Sequence, residues 1–324
     1  MDGHDRKKVM IWGLVAFTVA TFLCAYAVNF QLMLLFRFLA GVSASFVTPQ
    51  IWSSIPVVIQ KKDIVKVMGY ATAGLSVSQL VGIPIGSYLA VFSWHAPFLI
   101  ISFASLVLLL LIFFVLPTLE IEKREHFSFI KTYKNVLMNH KSVSYLIAYF
   151  VFQTGSFTSM TFISTWFTSS FGLTLSEVGT AMIAIGAGNL IGSLLGSHLV
   201  NRIGLEKAFF FELIILIILY LTMPFTRTFW QAEILLTVVF LFNGLIFPLF
   251  MATLQSTTEN ARSTISSLSN AAMYFGETVA GILGGVLFHV FYGFFGIALF
   301  AAIMVLFSLI LYIKSGIFTK KSVG

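Results

Sequence analysis

The sequence has little charge. Of its 324 residues, 10% are Asp, Glu, Lys or Arg and 58% are hydrophobic. Soluble domains carry about 25% charged residues, so a surface turned mainly to water is excluded. Cysteine occurs once, as Cys24, which excludes a disulfide framework and a cysteine-based metal site. Nucleotide fingerprints are missing too. No G-x-x-x-x-G-K-[ST] stretch occurs, so nothing points to ATP-driven work. "GAGNLIG" at 186–192 lacks the glycine spacing and preceding strand of a dinucleotide site. Without an H-E-x-x-H or a clustered acid–histidine set, an enzyme, a metal site and a resident cofactor are not expected.

What the chain has in quantity is apolar length. A helix crosses the hydrocarbon layer with about 20 apolar residues. Ten stretches reach that length: 9–29, 32–58, 67–91, 97–116, 143–168, 177–200, 208–223, 231–251, 264–288 and 293–313. They are continuously apolar, unlike the alternating strands of about 10 residues found in membrane barrels. The expectation is an all-α polytopic membrane protein in contact with the lipid bilayer. Alternate loops (1–8, 59–66, 117–142, 201–207, 252–263 and 314–324) hold 17 of the 19 Lys and Arg. The positive-inside rule then places those loops and both termini in the cytoplasm, as in a multi-pass protein of a bacterial plasma membrane. The net charge of +7 is accounted for by orientation, without nucleic acid. The first span also reads as a signal peptide, with "AYA" at 25–27, but an internal repeat gives it an uncleaved counterpart.

That repeat has a constant offset of 199. Asp2 falls on Asn201, Pro49 on Pro248, Gly82 on Gly281 and Gly86 on Gly285. Weak parallel repeats of this kind mark transporters built from two similar halves. The chain divides into an incomplete N-terminal half of four spans (1–116), a central cytoplasmic loop (117–142) and a six-span half (143–324). Spans 143–168 and 177–200 have no earlier counterpart. The expectation is a six-span unit that has lost its first two spans, or a start codon placed too late.

With these features the chain resembles the major facilitator superfamily, and the resemblance implies helices 3 to 12 of that twelve-helix fold. The family's loop after helix 2, G-x-L-x-D-R-x-G-R-K, survives here as Asp2, Arg6, Lys7 and Lys8, with Gly3 and Asp5 departing from it. A second copy runs Leu199-x-Asn201-Arg202-x-Gly204. The resemblance implies a cytoplasmic latch there; an ordinary positive-inside loop explains Lys7 and Lys8 equally. Within "LLFRFLAGVSA", Arg37 matches R-x-x-x-G of helix 4, which in antiporters of the family implies proton transfer. The alternative is snorkelling to the interface.

In "GLSVSQLVGIPIGSYLAVFSW", Gly74, Ser78, Gly82 and Gly86 recur every four residues, and Pro84 is expected to bend the helix. This is similar to the glycine–proline motif in helix 5 of proton-coupled drug antiporters, notably the arabinose- and purine-exporter branch. It lacks the commoner G-P-x-x-G-G form. A second small-residue stripe, Thr180, Ala184, Gly188, Gly192 and Gly196, is expected to face it, since helices 5 and 8 meet in that fold. A third, Ala272, Gly276, Ala280 and Gly284, would be left unpaired without helix 2. It would then be covered by lipid, by self-association or by helices supplied in trans.

Ionisable and polar groups in mid-span are costly and mark function. Glu277 is a candidate for proton binding, with a permanently protonated, hydrogen-bonded acid as the alternative. Glu212 is expected to snorkel toward Lys207. Gln153, Thr154, Asn243, Asn270 and Tyr274 are candidates to line a substrate cavity, and Trp166 to sit in an interfacial belt. The expected function is proton-gradient-driven efflux of small organic molecules of drug, sugar or nucleobase type by alternating access. The alternative is a truncated, non-transporting remnant or partial subunit.

Overall fold

The computed structural model describes residues 5–116, 129–258, 261–291 and 293–318, with no strand among them. In chain order the helices are α1 (Arg6–Ala25), α2 (Phe30–Val58), α3 (Ile64–Phe92), α4 (Ala96–Val115), α5 (Phe129–Met138), α6 (His140–Thr161), α7 (Ile163–Phe171), α8 (Leu175–Ile203), α9 (Leu205–Thr222), α10 (Phe229–Gln255), α11 (Arg262–Val290) and α12 (Phe294–Lys314). Among the described residues ten segments are long and apolar enough to cross a membrane, with α6 and α7 together forming one. Helices are the expected solution, because each satisfies its own backbone groups where water is absent.

The repeat is visible in the helix ends. Adding 199 to the bounds of α1, α2, α3 and α4 lands within two residues of those of α9, α10, α11 and α12. Even the caps correspond. Asn29 Oδ1 accepts from the Leu32 amide at 2.8 Å, and Thr228 Oγ1 from the Gln231 amide at 3.4 Å. Pro49 and Pro248 lie buried inside α2 and α10, where neighbouring helices tolerate the missing donor.

The core lies in the later helices. Tyr145, Tyr149, Phe152, Phe209, Phe250 and Tyr312 form a buried aromatic cluster, with ring centroids at 4.5 Å for Phe152–Phe250 and 4.8 Å for Phe209–Phe250. Ser308 Oγ donates to the Ala148 carbonyl at 2.8 Å, binding α12 to α6.

Two glycine seams depart from expectation. The stripe on α8 does not face α3. A Cβ on Gly188 or Gly192 would overlap the Thr237 or Leu241 carbonyl of α10, and one on Gly196 would lie 3.0 Å from the Leu245 carbonyl oxygen. Gly244 of α10 reciprocates against the Asn189 carbonyl. Meanwhile Gly74, Gly82 and Gly86 of α3 have open space where a Cβ would sit. Ser78 bonds its own helix, to the Leu75 carbonyl at 2.7 Å. The ring of Pro84 lies outside the described residues. α3 does meet α8, but through other positions: Gly69 against the Ser193 carbonyl, and Leu80 against Gly186.

The stripe on α11 is not unpaired either. Gly276 packs on Thr154 and the Phe150 carbonyl, and Gly284 on Phe162 and Thr158. The exposed face of α11 is the opposite one, with Phe275, Ile282 and Val286.

Candidate functional site

α2, α3, α6, α8, α10 and α11 line an open cavity of about 400 Å³. That size suits a small organic molecule. Its wall mixes amides and hydroxyls (Gln153, Asn189, Asn243, Asn270, Ser76, Ser156) with aromatic rings (Trp52, Phe157, Phe240, Phe247, Tyr274). Glu277 is the one charged side chain in that wall among the described residues.

Each polar group is placed by its helix. Ser76 Oγ donates to Asn189 Oδ1 at 2.8 Å, joining α3 to α8 at the cavity wall. Gln153 Nε2 donates to the Tyr149 hydroxyl at 3.1 Å. Asn270 Nδ2 is buried without an acceptor among the described residues, leaving a donor for a ligand or water. Glu277 and Tyr274 lie on the exposed side of α11, one turn apart. Trp52 meets Phe247 edge-on at 5.6 Å.

The candidates read from sequence separate into two groups. Gln153, Asn243, Asn270, Tyr274 and Glu277 share this cavity. Thr154 does not line it: its hydroxyl bonds the Phe150 carbonyl at 2.9 Å, against Gly276. Arg37 is also elsewhere, exposed, with its guanidinium 4.9 Å from the centre of the Phe98 ring. Asp2 lies outside the described residues. Asn201 and Arg202 are exposed at the end of α8. Lys7 sits over the Phe113 ring at 5.8 Å.

Two further expectations change. Glu212 is 1% exposed, and neither carboxyl oxygen has a hydrogen-bond partner among the described residues, so it does not snorkel. Trp166 is buried, stacked on Phe294 at 4.0 Å, rather than facing an interface.

Sequence reasoning missed the closure at the lysine-rich end. There Arg262 Nη1 donates to the Pro56 carbonyl at 2.6 Å, and Ser263 Oγ to Ser53 Oγ at 3.4 Å. Arg6 Nη1 donates to the Ser53 carbonyl at 3.0 Å. Away from this end α2 turns Phe30, Leu34, Phe38 and Val42 outward, all exposed. α2 and α11 are thus joined at the basic end, one helical turn beyond the cavity-lining Trp52.

Comparison with known proteins adds to this geometry. The family model described as Major Facilitator Superfamily matches residues 1–275 and again 145–321. The MFS-type transporter YceJ of Bacillus subtilis (strain 168) is 45% identical over 312 residues, covering 96% of this chain and 80% of that protein. Multidrug resistance protein 2 of the same organism is 26% identical over 298 residues, covering 89% and 74%. The crystal structure of the transporter FucP in the outward conformation superposes with a TM-score of 0.80 at 16% identity, covering 97% of this chain and 84% of that one.

Proposed function

This chain belongs to the Major Facilitator Superfamily of transporters, and from that premise we propose that it exports small organic molecules in exchange for protons. The observation that carries the reading is Glu277, the one charged group among the described residues in a cavity wall of amides, hydroxyls, aromatic rings and a few aliphatic side chains. A carboxyl group in such a place can hold either a proton or a cationic ligand. If both compete for it, each turnover carries one outward and the other inward, and the proton gradient drives export.

The aromatic rings favour planar, amphipathic ligands with a positive group. The likeness to a multidrug resistance protein supports export over import. With the lysine-rich loops in the cytoplasm, closure at Arg262 makes this the outward-open state of a multi-pass protein of the bacterial plasma membrane. The glycine–proline stretch of α3 remains the resemblance to drug antiporters.

The test is proton flux in proteoliposomes holding a pH-sensitive dye, with a planar organic cation added as substrate. Wild-type protein is expected to couple cation movement to counter-flow of protons. Glu277→Gln is expected to lose the coupling while still folding. Cation transport that ignores an imposed pH gradient, or full coupling in Glu277→Gln, refutes the reading.

A further inference from the structure

We propose that Arg262 is a gating residue: by capping the Pro56 carbonyl it holds the transporter in the state closed at its basic end. The proposal rests on alternating access in the export reading, but its physical basis is separate.

α2 ends at Val58, and the last carbonyls of a helix have no intrahelical donors. The Ile55 carbonyl recovers one from the Ile59 amide at 3.0 Å. From Ile59 onward the backbone is extended, with Gln60 at φ −61° and ψ 143°. The Pro56 carbonyl instead receives the guanidinium of Arg262 at 2.6 Å. This is a charge-assisted bond at the negative end of the α2 dipole.

The position of Arg262 makes little sense for its own helix. It is the first residue of α11, where the dipole disfavours a cation, and no acid occupies that first turn. Its favourable partner is α2, across the contact that must part for the basic end to open. Other bonds hold the bolt in place. Gln255 of α10 donates to Ser266 Oγ and, at 3.5 Å, to the Arg262 carbonyl. On the far side Arg6 fixes the Ser53 carbonyl.

The bolt is also within reach of the cavity. Trp52 lines the cavity and lies one helical turn before Pro56. A ligand that moves Trp52 against Phe247 therefore acts on the same turn of α2 that Arg262 grips.

The experiment reads state populations directly. In the full chain with Cys24→Ser, paired spin labels are placed at Gln31→Cys and His289→Cys for the outer ends of α2 and α11. A second pair at Lys62→Cys and Ser256→Cys reports on the basic end; all four positions are exposed. Distance distributions are measured in lipid nanodiscs for wild type, Arg262→Gln and Arg262→Lys. Arg262→Gln is expected to shift the ratio of basic-open to basic-closed molecules by about tenfold or more, the size of one charge-assisted hydrogen bond. The basic pair lengthens as the outer pair shortens. Arg262→Lys, which retains a cation, is expected to stay near wild type.

Proton-coupled flux is measured on the same preparations. Flux in wild type with unchanged distances in well-folded Arg262→Gln overturns the bolt alone. A shift in Arg262→Gln without flux in wild type leaves the bolt standing and refutes the export reading.

Discussion

Gly192→Ala should weaken the protein more than any other single methyl added to its glycine stripes. A Cβ there would sit 2.8 Å from the Leu241 carbonyl carbon and 3.0 Å from the Leu245 amide nitrogen, and would overlap the Leu241 carbonyl oxygen. Non-bonded carbons settle at about 3.5–4.0 Å, so α8 and α10 must part by roughly 1 Å, and such a gap forfeits up to about half of each contact's attraction. Overpacking costs about 1–3 kcal/mol. Here the obstacle is backbone, which cannot swing aside, so the upper end applies. The better helix propensity of alanine returns about 1 kcal/mol, leaving a net loss of about 2 kcal/mol. At Gly74, with nothing within 4 Å of the added methyl, only the propensity gain remains. Thermal unfolding of the purified proteins in detergent, followed by tryptophan fluorescence, should show a clear fall for Gly192→Ala and none for Gly74→Ala. Equal losses at both positions, or none at Gly192, would refute the assignment of the seam to α8 and α10.

Arg37→Gln should leave proton coupling intact and reduce stability by no more than about 1 kcal/mol, the worth of an exposed cation–π contact; coupling lost in a folded Arg37→Gln protein would return this residue to the proton path. Glu212→Leu should be neutral or raise stability by about 1–2 kcal/mol, because it removes a buried carboxyl group with no hydrogen-bond partner among the described residues. Wild-type flux in the same variant is the expected companion result, and a folded but inactive Glu212→Leu would mean that this acid takes part in transport.

The spans were legible because hydrocarbon demands length and closed backbone bonding. The helix starts were less legible: Asn29 and Thr228 cap α2 and α10, which therefore begin two residues before the apolar runs counted from 32 and 231. The break between α6 and α7 at Phe162 was not legible, since "SMTFISTWF" mixes hydroxyl residues with apolar ones evenly and has no glycine or proline. α5 was read as loop because its ten residues lie inside a polar stretch and are too few to stand out as a helical pattern. The cavity was partly legible. Gln153, Asn243, Asn270 and Glu277 stand out as polar residues in apolar runs, whereas Trp52 and Phe247 look like any other lipid-facing ring. Asn189 carried the same polar signal, hidden inside a glycine-rich stretch.

The faces were the hardest part, and the glycines show why. In water a helix announces its buried side by being apolar there; in lipid both sides are apolar, and a small-residue stripe says only that something comes close. The α8 stripe and the α3 stripe look alike in sequence, yet one is locked against carbonyls of α10 and the other is open. That difference bears on movement. Glycine against backbone makes α8 and α10 one unit, since any shift along the seam meets a carbonyl within about one turn. The contact of α3 with α8 has one such approach among the described residues, Gly69 against the Ser193 carbonyl, where the α8–α10 seam has four; beside it stand Leu80 on Gly186 and the Ser76–Asn189 hydrogen bond. A bond of this kind is worth about 1 kcal/mol, small enough for rocking between states to make and break it. The rigid seam and the yielding contact thus lie on the same helix, and Asn189 stands at both: its carbonyl against Gly244 and its side chain on Ser76. An Asn189→Ala variant would cut the yielding contact and spare the seam. Its helices should unfold at the wild-type temperature while the distances between α3 and α8 broaden, and a large fall in stability would show that the two contacts are not separable.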